Sequence, residues 1–279
     1  MDTKPMVSIV VPTHNSEKTL RNCLDSIRNQ SYSNIEIIIA DEFSKDRTVE
    51  IARKYTSRAY ITQAKERSAQ KNLGLEKAVG EFVCFIDSDM EMTSNVVTEC
   101  LQRIKCDAAV GGVIIPERSV GDSFWVHVRD FERSFYEDSV VESARFFRTD
   151  LAKCVGGFDE DIIFFEESVL PQKIADLGYS VNARITSEIL HHEEDFSLSK
   201  HLRKRFYYGK TTREYAKKNE NYFKKQYGVG YRVKLFITNG RFARRPLFAL
   251  CVLVLKMLEL GFNELGAFSS KITRKERPR

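Results

Sequence analysis

The sequence predicts an α/β fold: a mostly parallel, Rossmann-like sheet flanked by helices, followed by a basic helical extension at the C-terminus. Three observations lead to this prediction. Short apolar runs alternate with helical patterns in the first part of the chain, a polar loop follows each run, and basic residues concentrate in the last part. Such alternation is typical of parallel sheets with helices on both faces, whose ligands lie beyond the carboxyl ends of the strands.

The first strand, loop and helix are predicted near the start of the sequence. Residues 7–11 form a β-branched run that Pro12 closes, and Asn15 or Ser16 can then cap a helix. One face of this helix carries four apolar residues: Leu20, Cys23, Leu24 and Ile27. The pattern is therefore that of a buried strand leading through a polar loop into an amphipathic helix.

The same elements continue to alternate: a strand, loop and helix come first, and then a helix, strand and loop. Residues 35–40 form a second buried-strand pattern, which is followed by a polar stretch over 41–46 and a short helix. A helix over 66–78 then precedes a strand over 82–86, and this strand ends directly at Asp87. The three polar loops are thus predicted at one edge of the sheet.

The second half of the chain is less regular. Its patterns predict a strand over 108–115, a helix over 125–136, a helix over 168–177 that Gly178 ends, and a strand over 181–190. These elements extend the α/β body to about residue 195.

Charge divides the chain into an acidic body and a basic tail. Residues 198–279 hold 21 Lys and Arg against 5 Asp and Glu, whereas the rest of the chain holds 23 against 34. A basic tail suits an anionic membrane, nucleic acid or a phosphorylated acceptor, and it can also be a solvated helical face. Six cysteines form no Cys-x-x-Cys pair, and no apolar stretch of signal-peptide length precedes the first strand, which predicts a cytoplasmic setting.

Asp87-Ser88-Asp89 is the strongest candidate for a metal site. Hard carboxylate oxygens at the end of a buried strand suit Mg²⁺ or Mn²⁺ that bridges a diphosphate. The Asp-x-Asp pattern occurs a second time at residues 159–161, where no strand precedes it, so position and not the pattern itself selects the first. The chain has no GxGxxG after its first strand and no GxxxxGK[ST], so a metal and side chains must neutralise the phosphates.

Five blocks of the sequence resemble, in order and rough spacing, those of the family 2 glycosyltransferases. They are VSIVVPTHN at 7–15, IIIADEFSKDRT at 37–48, SAQKNLG at 68–74, GEFVCFIDSD at 80–89 and GGFDEDIIFFEE at 156–167. The resemblance implies a GT-A fold, a nucleotide-sugar donor, a divalent metal (Mn²⁺ or Mg²⁺) and transfer with inversion at the anomeric carbon. It also implies a catalytic, nucleotide-sugar-binding domain over 1–195. Charge and helical spacing predict that a basic, partly amphipathic helical region over 196–279 follows it.

The resemblance assigns donor contacts to residues in four blocks and in the loop that continues the first: Pro12, Thr13, Asn15, Glu17, Asp41, Glu42, Lys71, Asp87 and Ser88. Glu42 stands where the family usually has a second Asp, which leaves the base open, with UDP favoured over GDP and dTDP. Lys71 replaces a common Arg, and either cation could neutralise the diphosphate. Asp89 is expected to bind the metal directly, Asp87 to contact ribose or metal, and either His191 or His192 to complete the metal shell.

The general base is expected at Glu166-Glu167, where the family usually has Glu-Asp. An inverting transfer needs one carboxylate to take the proton of the acceptor hydroxyl. Glu167 is the first choice and Glu166 the second; the alternative is that both are surface acids at the start of a helix.

The C-terminal apolar segment over 247–268 is predicted as an interfacial membrane helix. Four polar residues recur at helical spacing and would share one face: Lys256, Glu259, Asn263 and Glu264. Basic residues flank the segment on both sides: Arg241, Arg244, Arg245, Lys271, Arg274, Lys275 and Arg277. This composition suits peripheral attachment to an anionic, cytoplasmic membrane surface and a lipid-linked or glycan acceptor; the alternative is a helix packed on the catalytic domain or on a second copy.

A single-sugar transfer is favoured over processive synthesis, because the only Trp is Trp125 and the QxxRW signature is therefore absent. No nucleic acid partner is expected. Two alternatives remain: a nucleotidyltransferase and a non-catalytic, peripheral membrane-binding protein. A nucleotidyltransferase would need a glycine-rich loop after the first strand, and residues 12–15 contain no glycine. A non-catalytic protein would not need the acidic residues of the candidate metal site, and these are present.

Overall fold

The computed structural model describes residues 4–63, 66–137, 139–163, 165–194, 196–218, 220, 223 and 228–275. The chain groups into two compact units. The first unit comprises Met1–Arg118, Glu142–Glu160 and Glu166–His192, and the second comprises Ser119–Val141, Asp161–Phe165 and Glu193–Arg279. The last segment of the second unit begins close to the division predicted after residue 195, but this unit also takes in two earlier segments.

Ten strands are present among the described residues: β1 (Val7–Thr13), β2 (Ile35–Asp41), β3 (Ala59–Ile61), β4 (Phe82–Phe85), β5 (Met90–Met92), β6 (Gly112–Ile114), β7 (Glu117–Val120), β8 (Ala144–Arg148), β9 (Ala183–Arg184) and β10 (Ile189–His192). The helices of the same residues are α1 (Leu20–Arg28), α2 (Thr48–Arg53), α3 (Arg67–Lys77), α4 (Val96–Lys105), α5 (Phe124–Arg133), α6 (Thr149–Cys154), α7 (Glu166–Asp176), α8 (Leu198–Lys218), α9 (Val229–Ile237), α10 (Gly240–Arg244) and α11 (Pro246–Lys275).

The main sheet has the strand order β3-β2-β1-β4-β8-β6-β9. β1 pairs in parallel with both β2 and β4, β2 pairs in parallel with β3, and β8 is antiparallel to its neighbours β4 and β6. A smaller sheet has the order β5-β10-β7. The predicted α/β fold with a mainly parallel sheet is confirmed.

The core of the first unit lies on both faces of this sheet. β1 is buried along its whole length, as expected for a central strand that helices cover on either side. Val7, Ile9 and Val11 pack into one apolar cluster and Val10 into the other, in keeping with the two-residue period of a strand. Burial on both faces explains why this strand reads as a continuous apolar run.

The strand predicted over 181–190 is interrupted and forms β9 and β10. The break is a turn in which Glu99 on α4 accepts the backbone N–H groups of Thr186 and Ser187 at 2.9 and 3.0 Å, and both of their hydroxyls. Burial would raise the pKa of Glu99, but the hydrogen bonds from Ser187 and Thr186 lower it to about 2. This anchored turn sets the start of β10, which carries His191 and His192.

The second unit is built from α5 and the four C-terminal helices. Its core is aromatic, with Phe131, Phe135 and Phe236 in edge-to-face contacts. α8 and α11 approach closely at two glycines: a Cβ at Gly209 would lie 2.0 Å from the carbonyl oxygen of Asn263, and one at Gly266 would lie 2.0 Å from that of Phe206. Only glycine permits this backbone contact.

The polar residues predicted to share one face of α11 point inward rather than outward, except for Glu264, which is exposed. Glu259 accepts from His201 and Arg205, Lys256 pairs with Glu132 and Glu259, and Asn263 accepts from Thr212. Burial would raise the pKa of Glu259, but Arg205 and Lys256 hold it well below its usual range. The buried face of α11 therefore combines these paired polar residues with apolar ones such as Val252 and Leu255.

Replacing Glu99 tests the anchored turn. Because the pKa of Glu99 is lower in the folded than in the unfolded protein, its contribution is complete above about pH 5 and disappears as pH falls toward 2. Glu99→Gln should lower the free energy of unfolding by about 1–3 kcal/mol at pH 7. Chemical denaturation between pH 7 and 3 should show this difference shrink with acid; the exposed Glu81→Gln is the control, and a pH-independent difference contradicts the assignment.

Two glycines of α11 should respond in opposite directions to the same change. Gly266→Ala forces its Cβ onto the backbone of α8 and should cost about 1–3 kcal/mol of unfolding free energy. Gly261 has no heavy atom within 4 Å of an added Cβ, so Gly261→Ala should gain up to about 1 kcal/mol from helix propensity. Thermal and urea unfolding measure both; similar changes in the two variants would disprove the close contact.

Candidate active site

The candidate site lies at the edge of the main sheet where the parallel strands β1, β2 and β4 end. In the register of β1 and β2, Thr13 is opposite Asp41, and the Thr13 hydroxyl donates to Asp41 Oδ2 at 2.8 Å. Asp41 also accepts the backbone N–H and hydroxyl of Ser44. Gln70 on α3 donates to the carbonyl oxygens of Thr13 and Ala40, both at 2.8 Å. Hydrogen bonds therefore hold the two strand ends together.

The loops after β1 and β2 are joined by hydrogen bonds. The Asn15 N–H donates to the Ser44 hydroxyl, the Asn15 side-chain oxygen accepts the N–H of Lys45, and the Glu17 N–H donates to Asp46. Asn15 adopts a positive φ of 49°, which a short polar side chain tolerates better than most. The polar loop residues predicted at this edge thus form one connected surface.

His14, which sequence reasoning left unassigned, belongs to the same surface. Its Nδ1 lies 2.8 Å from the carbonyl oxygen of Glu42, and its Nε2 lies 2.9 Å from the amide nitrogen of Asn15. Next to Glu42, Phe43 has a positive φ of 43° and a ring that is 54% exposed. Glu42 and its neighbours therefore present both a carboxylate and an aromatic ring at the loop tip.

Asp87 comes shortly after β4 and is surrounded by three cations. Arg67 and Arg145 each place a guanidinium nitrogen near Asp87 Oδ2, at 3.6 and 4.0 Å, and Lys71 Nζ lies 3.9 Å from Oδ1. Burial would raise the pKa of Asp87, but Lys71, Arg67 and Arg145 lower it well below its usual range. Lys71 is itself buried, whereas the Arg67 side chain is 38% exposed and is thus the cation that a bound anion can reach.

Arg145 on β8 is a central residue that sequence reasoning missed. Its NH2 nitrogen lies 3.0 Å from Glu117 Oε2 and 3.3 Å from Glu167 Oε2, in addition to the contact with Asp87. Burial would lower the pKa of Arg145, but Glu117, Glu167 and Asp87 raise it. The available signal was a charged residue inside the short apolar run Ala-Arg-Phe-Phe, which is unusual for a buried strand.

The two candidate bases at the start of α7 occupy different environments. Glu166 is buried, and its Oε1 lies 2.7 Å from Arg67 NH2. Burial raises the pKa of Glu166 although Arg67 and Lys71 oppose the shift. The Glu167 side chain is 43% exposed and pairs with Arg145. The Glu167 carboxylate is therefore open to solvent, while that of Glu166 is committed to Arg67.

The two candidate histidines lie on β10 and point to opposite sides, as successive residues of a strand do. His191 pairs with Met90 in the ladder, and its Nε2 lies 3.2 Å from Asp89 Oδ2. His191 Nδ1 lies 2.7 Å from Glu117 Oε1, whereas His192 Nε2 lies 3.1 Å from Glu91. Burial would lower the pKa of His191, but the hydrogen bonds to Asp89 and Glu117 raise it to about 9.

The donor set suits a divalent cation that substrate phosphates help to bind. Among the described residues, no group of three or more His, Cys, Asp or Glu side chains is arranged to hold a metal ion by itself. Asp89 Oδ2 and His191 Nε2 nevertheless lie side by side, and Asp87 Oδ1 is buried without a hydrogen-bond partner in the described structure. Mg²⁺ in particular is commonly held by one or two carboxylates plus phosphate oxygens, so these residues fit such an ion.

The residues predicted to bind the metal or act as the base, together with Lys71, belong mostly to one continuous network of ion pairs and hydrogen bonds. Contacts run from Lys71, Asp87 and Arg67 to Glu166, and from Arg145 through Glu117 and His191 to Asp89. The Ser88 hydroxyl donates to that of Ser16 at 2.8 Å, on the side of the β1 loop. His192 contacts Glu91 instead of these residues. In the second Asp-x-Asp match, Asp159 forms an ion pair with Lys173.

Comparison with known proteins points to one family. The family model described as glycosyl transferase family 2 matches residues 8–165, more than half of the chain. A GalNAc(5)-diNAcBac-PP-undecaprenol beta-1,3-glucosyltransferase of Campylobacter jejuni is 32% identical over 106 residues, which are 36% of this chain and 34% of that protein. The matches to the first three curated relatives cover 20% to 45% of their lengths.

Two solved structures share the fold. The mannosyltransferase PcManGT from Pyrobaculum calidifontis, in complex with GDP-Man and Mn²⁺, aligns with a TM-score of 0.65 at 18% identity, over 96% of this chain and 88% of that one. S. aureus TarS 1-349 in complex with UDP aligns with a TM-score of 0.54 at 19% identity, over 73% and 64%. The expected fold class is therefore confirmed.

Proposed function

The chain belongs to glycosyltransferase family 2, and we propose that it moves a single sugar from a nucleotide-sugar donor to a lipid-linked or glycan acceptor, with inversion at the anomeric carbon. One observation supports this most: the network from Lys71 to Asp89 combines a reachable cation, Arg67, with paired metal donors and an exposed carboxylate at one sheet edge. These are the groups that transfer from a diphosphate requires.

We place the nucleotide on the hydrogen-bonded loops after β1 and β2. The lining residues would be Pro12, Thr13, Asn15, Glu17, Asp41 and Glu42, with Ser88 next to Ser16 of the β1 loop. UDP remains the favoured nucleotide, but the two structural neighbours bind UDP and GDP-Man, and Glu42 departs from the family pattern, so GDP and dTDP stay candidates. Arg67 would contact the diphosphate directly, while Lys71 contributes its charge from the interior.

We assign the metal to Asp89 and His191, with Asp87 on the donor side, and prefer His191 over His192 because of its 3.2 Å approach to Asp89. When bound, Mn²⁺ or Mg²⁺ would neutralise charge that develops on the departing diphosphate. Asp87, kept ionised by its three cations, would hold this edge negative enough for a divalent cation.

Glu167 would act as the general base. Its carboxylate takes the proton of the acceptor hydroxyl as that oxygen bonds to the anomeric carbon, and the bond from this carbon to the diphosphate oxygen breaks with its electron pair on the leaving group. The ion pair with Arg145 orients the Glu167 carboxylate. Glu166, held on Arg67, would position that cation instead.

Donor turnover tests this assignment. A panel of UDP-, GDP- and dTDP-sugars with Mn²⁺ should identify one nucleotide that is hydrolysed or transferred. With that donor, Glu167→Gln should lower transfer to an acceptor by about 10²–10⁴-fold because the base is lost. Asp89→Ala should lower both hydrolysis and transfer through metal binding.

Asp161→Ala is the matched control, since it removes an Asp from the second Asp-x-Asp match. It should retain parental turnover. Equal turnover in Asp89→Ala, Glu167→Gln and the parent chain would exclude the proposed mechanism.

We further propose that the protein is cytoplasmic and attaches peripherally to an anionic membrane through α11. By length and composition alone, Pro246–Ser269 could cross a membrane, and it is the one such helix in the described part of the chain. Lys256, Glu259 and Asn263 are paired inside the second unit. The outer face of the helix carries an apolar stripe: Leu247, Leu250, Val254, Met257, Leu265 and Phe268, which are 37–65% exposed. A helix whose polar face is already paired suits the interface better than a full span.

Basic residues before α11 support a lipid partner. Arg241, Arg244 and Arg245 are exposed, and the Arg245 guanidinium lies over the rings of Phe131 and Phe248. Lys271, Arg274 and Lys275 belong to the last turns of α11, and Arg277 lies outside the described residues. Basic side chains beside an apolar stripe favour an anionic bilayer surface.

Vesicle co-sedimentation tests the attachment. Leu250→Glu with Met257→Glu should weaken binding to phosphatidylglycerol-containing vesicles at least about tenfold, because two apolar contacts worth roughly 1.5–3 kcal/mol each are lost. Arg241→Gln with Arg244→Gln should reduce the preference over phosphatidylcholine vesicles.

Leu177→Glu with Val79→Glu is the matched control, since both side chains are apolar and exposed in the first unit. Unchanged vesicle binding in the α11 variants would favour the alternative that protein covers the stripe. Analytical ultracentrifugation would then show whether a second copy does so.

A further inference from the structure

Glu117 uses its two carboxylate oxygens for two different partners. Oε1 lies 2.7 Å from Nδ1 of His191, and Oε2 lies 3.0 Å from NH2 of Arg145. The three side chains are largely shielded from solvent. Arg145 can only donate hydrogen bonds, so it fixes which oxygen remains for the histidine.

The bond to Glu117 determines which ring nitrogen of His191 can bind a cation. A carboxylate accepts at Nδ1, so Nδ1 keeps its proton, and Nε2 is the ring nitrogen whose lone pair a cation can use when it displaces the Nε2 proton. Nε2 is the nitrogen that lies 3.2 Å from Asp89 Oδ2. With Nδ1 committed to Glu117, a cation that displaces the Nε2 proton meets Nε2 and Asp89 Oδ2 side by side as ligands.

We propose that Glu117 is a positioning residue for the metal site: held by Arg145, it orients His191 and keeps Nε2 available to a divalent cation beside Asp89. This inference rests on the proposed function, which supplies the metal. Carboxylates that receive the second N–H of a ligating histidine commonly set its orientation and basicity. The same residues connect the site to the candidate base, since Arg145 NH2 also lies 3.3 Å from Glu167.

Glu117→Gln is the informative substitution because it preserves shape while changing one acceptor into a donor. Arg145 requires the amide oxygen, so the amide NH₂ must face Nδ1 of His191. Nδ1 then accepts, and the proton moves to Nε2, where it blocks the cation. We expect the affinity for Mn²⁺ to fall by roughly 10–100-fold.

Mn²⁺ affinity is measured on the full chain by electron paramagnetic resonance of free Mn²⁺, with Mn²⁺ alone and with UDP or GDP added. Glu91→Gln is the matched control: it makes the same change in the same kind of Glu–His pair, but on His192. Glu117→Asp separates charge from geometry, because the shorter side chain keeps its charge but cannot reach both partners. Thermal unfolding confirms that each variant is folded.

The proposal expects weaker Mn²⁺ binding in both Glu117 variants and parental binding in Glu91→Gln. Parental affinity in Glu117→Gln overturns it, and so does a loss in Glu117→Gln without a loss in Glu117→Asp, because charge alone would then explain the effect. If the parent chain binds no Mn²⁺ with either nucleotide, the metal assignment under the proposed function is wrong, and the role proposed for Glu117 is wrong with it.

Discussion

The buried guanidinium of Arg145 is the cation on which the arrangement of the candidate site depends. It lies within 4.0 Å of carboxylate oxygens from Asp87, Glu117 and Glu167, three residues from separate parts of the sequence. Moving an ion out of water costs several kcal/mol, and only close partners offset that cost. Loss of one member would leave the others uncompensated, at roughly 3–5 kcal/mol. Mutual pairing therefore explains how so many charges can share one partly buried edge.

Sheet topology explains why Arg145 can reach Asp87 although the two residues are far apart in the sequence. β8 runs antiparallel to β4, with Cys84 opposite Phe146, so the beginning of β8 lies at the edge where β4 ends. Arg145 is the second residue of β8, and Asp87 lies two residues beyond the end of β4. The antiparallel strand thus places its first residues at the same edge as the loops that leave the parallel strands. The site needs strands of both directions.

This geometry also defines how much could be predicted from the sequence. The strands β1, β2 and β4, the helices between them and the polar loops at Asp41 and Asp87 can be derived from periodicity, since each is local. Arg145 and Glu117 were missed because periodicity points to the ends of parallel strands, and neither residue lies there. The choice between His191 and His192 needed the register of β10 on β5, because a shift of one residue exchanges the two faces. The division into two units likewise depends on contacts between distant segments, which no local pattern carries.

The α11 helix shows a second limit of prediction from sequence: spacing groups residues on one face of a helix but does not say which face is buried. Helical spacing correctly groups Lys256, Glu259 and Asn263, but spacing cannot tell which face of an amphipathic helix is inside. In most water-soluble proteins the apolar face packs inward, since burial of apolar surface is the dominant favourable contribution. Here three polar residues are buried beside Val252 and Leu255 and are stable there because α5 and α8 supply Glu132, His201, Arg205 and Thr212 as partners, while a further apolar stripe remains outside. Exposed apolar surface of this extent is unfavourable in water, and an adjoining lipid phase removes that cost without disturbing any of the internal pairs. The internal pairing of these polar residues, more than the length of the helix, is therefore what supports the proposed surface-bound position over a membrane-spanning one.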